Sequence, residues 1–237
     1  TNDASATGIG SIDSTGSVNQ DAGFSIVSYT GNGSNGASFS HGLNVKPKIV
    51  LIKNRTTAKN WVYWQDTTNN GTSDVRLCLN LTNANFNNFH VTFGTSTITL
   101  GDTDDAWNKS GDNLIAYCFA EKQGYSKFGS YTGNGNADGT FVYTGFKPAF
   151  VMWKKTNGAS EWIMVDSKRN TSNEVDKLLR ANQSSAENTY GACDFLSNGW
   201  KFRDGDTDFQ ASGDTYIFMA FAESPFVSSS GVPATAR

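Results

Sequence analysis

The chain has 237 residues, of which 37% are hydrophobic and only 17% charged, and its formal net charge is −3. It has no basic run, which argues against nucleic-acid binding. It also has no stretch of about 18 apolar residues that could insert into a membrane. The first residues lack the basic-then-apolar pattern of a signal peptide.

The N-terminal stretch, residues 1–22, consists of Ser, Thr, Gly, Asn and Asp with isolated Ile9, Ile12 and Val18. These few apolar side chains cannot build a core alone. The composition predicts an extended arm or linker that packs on another part of the protein. At the other end, residues 227–237 are predicted to form a C-terminal tail.

The next feature is a duplication. The sequence Y-T-G-N-G occupies residues 29–33 and occurs again at residues 131–135, 102 positions later. Further pairs keep an offset of 101 or 102, among them Lys46/Lys147, Trp61/Trp162, Phe93/Phe195, Trp107/Phe209, Asp112/Asp214 and Glu121/Glu223. We interpret residues 23–122 and 123–226 as two copies of one domain-sized unit. Positions that match are expected to form the frame, and unmatched positions are freer to carry function.

Short β-type segments dominate both copies. Residues 24–29 alternate between apolar and polar, as a half-buried strand does, and residues 49–52, 114–120 and 216–222 are apolar runs typical of buried strands. Only residues 74–82 and 174–182 are candidates for short helices, the second with Ser172 or Asn173 as N-cap. The fold class predicted is therefore all-β: β-sandwich-like, with two tandem pseudo-symmetric repeats of about 100 residues.

The glycine-rich stretch 31–36 reads G-N-G-S-N-G, which matches the spacing of a dinucleotide-binding loop. That motif requires a helix directly after it, to bind the phosphates at its N-terminus. Residues 37–42 have no helical periodicity, so we interpret the stretch as a turn. No cofactor is expected.

Metal binding has weak candidates only. Asp204, Asp206 and Asp208 alternate along one loop, and carboxylates so placed can converge on a hard cation such as calcium. No acidic residue completes an EF-hand, and a solvated turn is the favoured interpretation. His41 and His90 have no counterparts in the other copy, which indicates isolated surface histidines rather than a zinc site.

The three cysteines do not occupy equivalent positions in the two copies. Cys118 aligns with Ala220, which is typical of a small core residue. No disulfide framework is indicated, with a bridge between Cys78 and Cys193 as the alternative.

No sequence pattern singles out a set of catalytic residues. Paired carboxylates for glycoside hydrolysis could come from any of several aspartates, since the fold sets their separation. The spacing selects no pair among Asp66, Asp74, Asp166, Asp176 and Asp194, and the chain is predicted not to be an enzyme.

Four aromatic residues are candidates for ligand contact because they differ between the copies or flank polar loops: Tyr63, Trp64, Trp107 and Tyr190. Exposed rings stack on sugars and anchor protein contacts, although core packing is the competing interpretation. Arg169 joins this set. The loops expected to touch a receptor are residues 32–41, 65–74, 167–173 and 183–193.

Three segments resemble a known family. They are Y-S-K-F-G-S-Y-T-G-N-G at 125–135 with D-G-T-F-V-Y-T-G-F-K-P-A-F-V at 138–151, A-Y-C-F-A-E at 116–121, and the ending G-V-P-A-T-A-R. Over residues 23–237 the chain resembles a repeat domain at the C-terminus of tail-fibre and other virion proteins of marine tailed bacteriophages.

The resemblance implies a place in the virion, as a non-enzymatic distal module that binds a host polysaccharide or an outer-membrane receptor. It also implies contacts with other virion proteins and with copies of itself, usually as a homotrimer. A purely structural virion protein, such as a capsid decoration or an appendage knob, is the alternative. A polysaccharide depolymerase is a third possibility.

Overall fold

A computed structural model describes residues 1–223 of the chain. Within them, regular structure is β apart from one helical turn, α1 (Ala4–Thr7), so the all-β prediction is confirmed. No helix in this part of the chain is long and apolar enough to cross a membrane. The predicted tail, residues 227–237, lies outside the described residues.

The chain divides into two compact units. The first comprises Thr1–Leu79 and Asn85–Glu121, and the second comprises Asn80–Ala84 and the chain from Lys122 onward. The strands of the first unit are β1 (Ser14–Asn19), β2 (Phe24–Thr30), β3 (Ser38–Ser40), β4 (Ile49–Asn54), β5 (Val62–Gln65), β6 (Val75–Cys78), β7 (Val91–Phe93), β8 (Thr97–Leu100) and β9 (Asn113–Phe119). The strands of the second are β10 (Ser126–Thr132), β11 (Phe141–Tyr143), β12 (Pro148–Lys155), β13 (Ile163–Asp166), β14 (Val175–Arg180), β15 (Asn188–Leu196), β16 (Gly199–Phe202) and β17 (Thr215–Ala222).

The two units share one strand order. The first has a six-stranded sheet, β1-β2-β9-β4-β5-β6, and a three-stranded sheet, β3-β8-β7. The second has one eight-stranded sheet, β10-β17-β12-β13-β14-β15-β16-β11. Each strand from β2 to β9 corresponds to the strand eight numbers later, and the second unit differs because β14 and β15 also pair. The sequence duplication is therefore a duplication of topology.

Each unit closes over its own core like a sandwich. In the first, side chains from both sheets form one buried cluster, with Tyr29 of β2 stacked on Phe39 of β3 at 4.4 Å between ring centroids. In the second, the sheet folds back so that Trp153 of β12 meets Phe202 of β16 edge-on at 5.3 Å. Aromatic side chains bury large apolar areas, which stabilises such short strands.

The first 22 residues pack on the first unit and form part of its sheet. All six residues of β1 pair with β2, and the backbone N–H groups of Ser11 and Ile12 donate to Ser38 O of β3. Ile12 is 5% exposed and belongs to the first core. Backbone pairing, together with the buried residues Ala4, Ile12 and Ser14, orders this polar segment.

The two helices expected at residues 74–82 and 174–182 are strands β6 and β14. β6 pairs with β5, and β14 pairs with both β13 and β15. Tertiary pairing has overridden a weak local helix preference. By contrast, the glycine stretch 31–36 is free of helix, as predicted.

Two further expectations are settled by burial. His41 is 1% exposed rather than on the surface. Its Nδ1 accepts from the N–H of Leu43, and burial lowers the pKa of the imidazole. His90 is exposed. All three cysteines are free and buried, so the alternative of a Cys78–Cys193 bridge is wrong.

The repeated Y-T-G-N-G sequence clamps a loop in each unit. The Tyr29 hydroxyl donates to Trp107 O at 2.7 Å, and the Tyr131 hydroxyl donates to Phe209 O at 2.9 Å. A Cβ on Gly31 or Gly133 would collide with the backbone of that same loop, at Lys109 or Ala211. The sequence is repeated because only glycine permits this approach.

We expect Tyr131→Phe to lower the free energy of unfolding by about 1–2 kcal/mol, because the buried Phe209 carbonyl loses its donor. Urea denaturation followed by tryptophan fluorescence measures the change. Tyr143→Phe, at a residue that is 63% exposed, is the control and should leave stability unchanged. Equal stability of Tyr131→Phe and wild type would contradict the clamp.

A second prediction concerns Lys154, whose side chain is fully buried on β12 and donates to Lys155 O at 2.7 Å. Burial, and then the neighbouring Lys155 charge, lowers the pKa of Lys154 from 10.5 to about 8. The unfolded chain therefore binds this proton more tightly, so stability rises as pH increases between about 8 and 10.5.

Lys154→Met should be more stable than wild type at pH 7, by an amount on the order of 2 kcal/mol. The difference should shrink as the pH rises through that window. Parallel urea titrations of the two proteins at several pH values test this, and a difference independent of pH would refute it.

Candidate functional site

The second unit carries an open pocket of about 380 Å³. It lies where strands β13, β14 and β15 meet the loop before β17. Its walls combine apolar, hydrogen-bonding and charged groups: Ile163, Leu178, Arg180, Glu187, Asn188, Thr189, Tyr190, Asp206, Asp208 and Phe209. Concave sites with an aromatic wall and a few polar groups are typical ligand sites.

Tyr190 forms one wall and is 40% exposed. Its ring meets the buried Phe209 ring edge-on at 6.1 Å, and its hydroxyl donates to Asp206 Oδ2. This hydrogen bond to the carboxylate raises the pKa of Tyr190 to about 12. The phenol therefore stays neutral at physiological pH, with its orientation fixed by Asp206.

Arg169 supports the rim of the pocket without lining it. Its Nε donates to Asp166 Oδ2 at 2.6 Å, and its Nη1 donates to Glu187 Oε2 at 3.1 Å. The guanidinium is thus engaged on two sides, and its side chain is 21% exposed. Arg169 positions Glu187 rather than offering a free cation to a ligand.

Arg180 is the cationic donor of the pocket. Within residues 1–223 its guanidinium forms no hydrogen bond or ion pair, although Glu187, Asp206 and Asp208 line the same pocket. The Asp208 carboxylate accepts from the Ser160 hydroxyl at 3.0 Å. The pocket therefore presents a guanidinium donor and several carboxylate acceptors beside an aromatic face.

The equivalent place in the first unit is filled. The Arg76 guanidinium lies over the Phe86, Phe89 and Trp107 rings at 5.0, 5.3 and 4.9 Å. Trp64 closes the cluster: it meets Trp107 edge-on at 5.1 Å and donates from Nε1 to Phe89 O. We call this arrangement the plug.

Strand register relates the plug to the pocket. Pairing of β5 with β6 sets Trp64 opposite Arg76, and pairing of β13 with β14, continued by one residue, sets Val165 opposite Leu178. Trp107 corresponds to Phe209. Smaller, uncharged side chains replace the tryptophan and the arginine, which leaves the second unit open where the first is closed.

Three of the aromatic candidates are not available to a ligand. Tyr63, Trp64 and Trp107 are at most 1% exposed. Tyr63 donates its hydroxyl to Gln65, and the other two belong to the plug. They differ between the copies because each core is packed differently, not because they reach the surface. Tyr190 is the aromatic candidate placed at a pocket.

The weak metal-binding candidates lie in one turn, where the side chains of Asp204 and Asp206 accept hydrogen bonds from the backbone. Asp204 Oδ1 accepts from the N–H of Asp206, and Asp206 Oδ1 accepts from the N–H of Asp208, the geometry of successive Asx turns. In the described part of the chain, no group of three or more His, Cys, Asp or Glu side chains is placed to hold a metal ion.

Sequence reasoning missed Arg180, Glu187 and Phe209 as site residues. Glu187 lies in the loop 183–193 that was expected to touch a receptor, and Arg180 corresponds to Cys78 in the first unit. The unmatched-position criterion could therefore have found both. Phe209 matches Trp107 in the other copy, and matched positions were expected to be structural residues rather than ligand-binding residues.

The sequence region that contains both units and the pocket matches one protein family. Residues 1–225 match the family described as "Domain of unknown function (DUF7483)", and the chain belongs to it. No curated protein and no solved structure matches the chain.

The Tyr190–Asp206 contact has a titration signature. Asp206→Asn should bring the pKa of Tyr190 down from about 12 towards 10.0, because the carboxylate is the main cause of the shift. Absorbance of the phenolate follows the titration, and subtraction of the same variant carrying Tyr190→Phe isolates this residue.

The control is Asp104→Asn, at the equivalent aspartate of the first unit. It should leave the Tyr190 titration unchanged. If Asp206→Asn also left it unchanged, the hydroxyl would not be held by this carboxylate.

Proposed function

We propose that this chain is a non-enzymatic distal domain of a bacteriophage tail fibre or related virion appendage, and that it binds a glycan or an outer-membrane receptor on the host cell surface. Its partners are then the host receptor, other virion proteins and copies of itself. The observation that carries the binding role is the pocket of the second unit, at the place where the first unit is plugged.

The chemistry of the pocket suits a polyhydroxylated ligand. Tyr190 and Phe209 provide an aromatic wall on which a sugar face or an apolar side chain can lie. Arg180 donates, while Glu187 and Asp208 accept, so both senses of hydrogen bond are available to hydroxyl groups. Tyr190 and Arg180 lie on strands, Asp208 and Phe209 lie on the clamped loop, and Glu187 is held by Arg169. This arrangement favours a preformed site.

The contrast between the units supports binding over a purely structural role. A duplicated frame needs only well-packed cores, and the first unit meets that need with its plug of Arg76 and four aromatic rings. An open pocket gives up that packing. Loss of buried contacts lowers stability, so an open site is favoured where it has a use.

The test is binding of the purified, labelled protein to cells of the host bacterium. Thr189 lines the pocket and is exposed, so Thr189→Trp should fill the pocket without disturbing the fold. We expect Thr189→Trp and Tyr190→Ala each to weaken binding at least about tenfold, the loss typical of an anchor residue. Asp104→Asn, in the first unit, is the control and should bind like wild type.

Other results would select the alternatives. Cell binding unaffected by either pocket substitution would exclude this site. No cell binding, together with stable docking to virion parts, would favour a capsid decoration or appendage knob. Release of reducing ends from host polysaccharide would indicate a depolymerase.

A further inference from the structure

Strand β11 ends the eight-stranded sheet of the second unit, with β16 on one side. Its residues alternate in burial: Val142 is 5% exposed, whereas Phe141 and Tyr143 are 42% and 63% exposed. Residues 139–146 carry no charged side chain. Proteins commonly protect a sheet edge with Lys, Pro, a bulge or a covering segment. The described chain provides none of these four protections here, and β11 is protected only by its length of three residues.

The backbone groups of this edge point outward at the two aromatic residues. Phe202 N donates to Thr140 O, and Thr144 N donates to Asn198 O. Hydrogen-bonded and non-hydrogen-bonded positions alternate in an antiparallel pair. Val142 therefore bonds to β16, while the N–H and C=O groups of Phe141 and Tyr143 face away from it.

The first unit covers its equivalent edge. By register, Ser38 and Ser40 of β3 occupy the places of Phe141 and Tyr143. Ser38 O accepts from the N–H groups of Ser11 and Ile12, and Ser14 Oγ donates to Ser40 O at 3.2 Å. In the first unit, then, these outward groups are satisfied by a segment of the same chain, and the side chains beside them are small and polar.

We propose that β11 pairs with β11 of a second copy of this chain, antiparallel about Val142. In that register Phe141 of one copy stands opposite Tyr143 of the second copy, twice. Each such pair exchanges the two outward hydrogen bonds. Because residues 141 and 143 lie on the same face of the strand, each Phe side chain meets a Tyr side chain as a cross-strand aromatic pair.

The strand is thus complementary to itself, which is the requirement of an isologous two-fold contact. The assembly formed through this edge is a dimer, in place of the homotrimer implied by the resemblance. The strands are short, so the contact area is small and dimerisation depends on protein concentration. This contact is independent of the pocket and of host binding.

The test is sedimentation velocity of the full chain over a concentration series. We expect a shift from the 25.6 kDa monomer to twice that mass as concentration rises. Replacing Phe141 and Tyr143 together by Ser, the residues of the first unit, should abolish the shift. Val45→Ser removes an apolar side chain of 43% exposure elsewhere and should leave the shift intact.

Charge substitutions test the register itself. The pair Phe141→Lys with Tyr143→Lys places like charges opposite each other and should give monomer at all concentrations. The pair Phe141→Lys with Tyr143→Glu places Lys opposite Glu twice and should restore the dimer. A wild-type chain that stays monomeric, or an assembly of any size that survives the Ser and Lys pairs, would overturn the proposal.

Discussion

A tyrosine hydroxyl bonded to a backbone carbonyl 78 residues away fixes the loop on which each unit depends. Tyr29 and Tyr131 are the second-to-last residues of β2 and β10, so strand pairing fixes their positions. The glycine two residues later lets the chain lie against the same loop, where a side chain would collide. Since the hydroxyl is buried, the carbonyl has no water to replace its donor.

The clamped loop determines what the rest of the unit can do. It presents Trp107 in the first unit and Phe209 in the second, both buried and both held through their own carbonyl groups. An aromatic ring fixed in this way can serve as the base of a plug or as the floor of a pocket. Whether a plug or a pocket forms depends on the strand pair that faces the ring. In the first unit β5 and β6 present Trp64 and Arg76, and in the second unit β13 and β14 present Val165 and Leu178. Duplication allows one copy to change these residues while the other keeps a packed core.

Sequence reasoning reached the all-β class and the duplication because residues that repeat are those that the shared framework of the two copies requires. Matched glycines, tyrosines and apolar runs return at an offset of 101 or 102 only if both copies satisfy the same backbone constraints. It failed for Tyr63, Trp64 and Trp107 because a core can be repacked with different side chains of suitable total volume. A difference between the copies therefore marks either a new surface or a new core, and only burial distinguishes the two. Tyr190 could be placed because polar residues precede it in the sequence, and it lies on the exposed first part of β15 rather than on a buried strand.

The helix expected over residues 174–182 failed for a related reason. Val175 and Leu178 are buried at a spacing of three residues, as on one face of a helix, yet they lie on a strand. The pairing of β14 with β15 shifts between Val175 and Lys177, and this irregularity changes the simple alternation of a strand. The same pairing joins the two halves of the second sheet through full strands, whereas the first unit has an isolated bridge between Thr72 and Thr92 at this place.

The irregular pairing at Val175–Lys177, which produces helix-like spacing of buried residues, thus lies where the strand pairing of the second unit differs from that of the first. The departure places Arg180 at the end of β14 and Tyr190 near the start of β15, where both line the pocket. The feature that misleads a reading of the sequence is therefore part of what builds the candidate site.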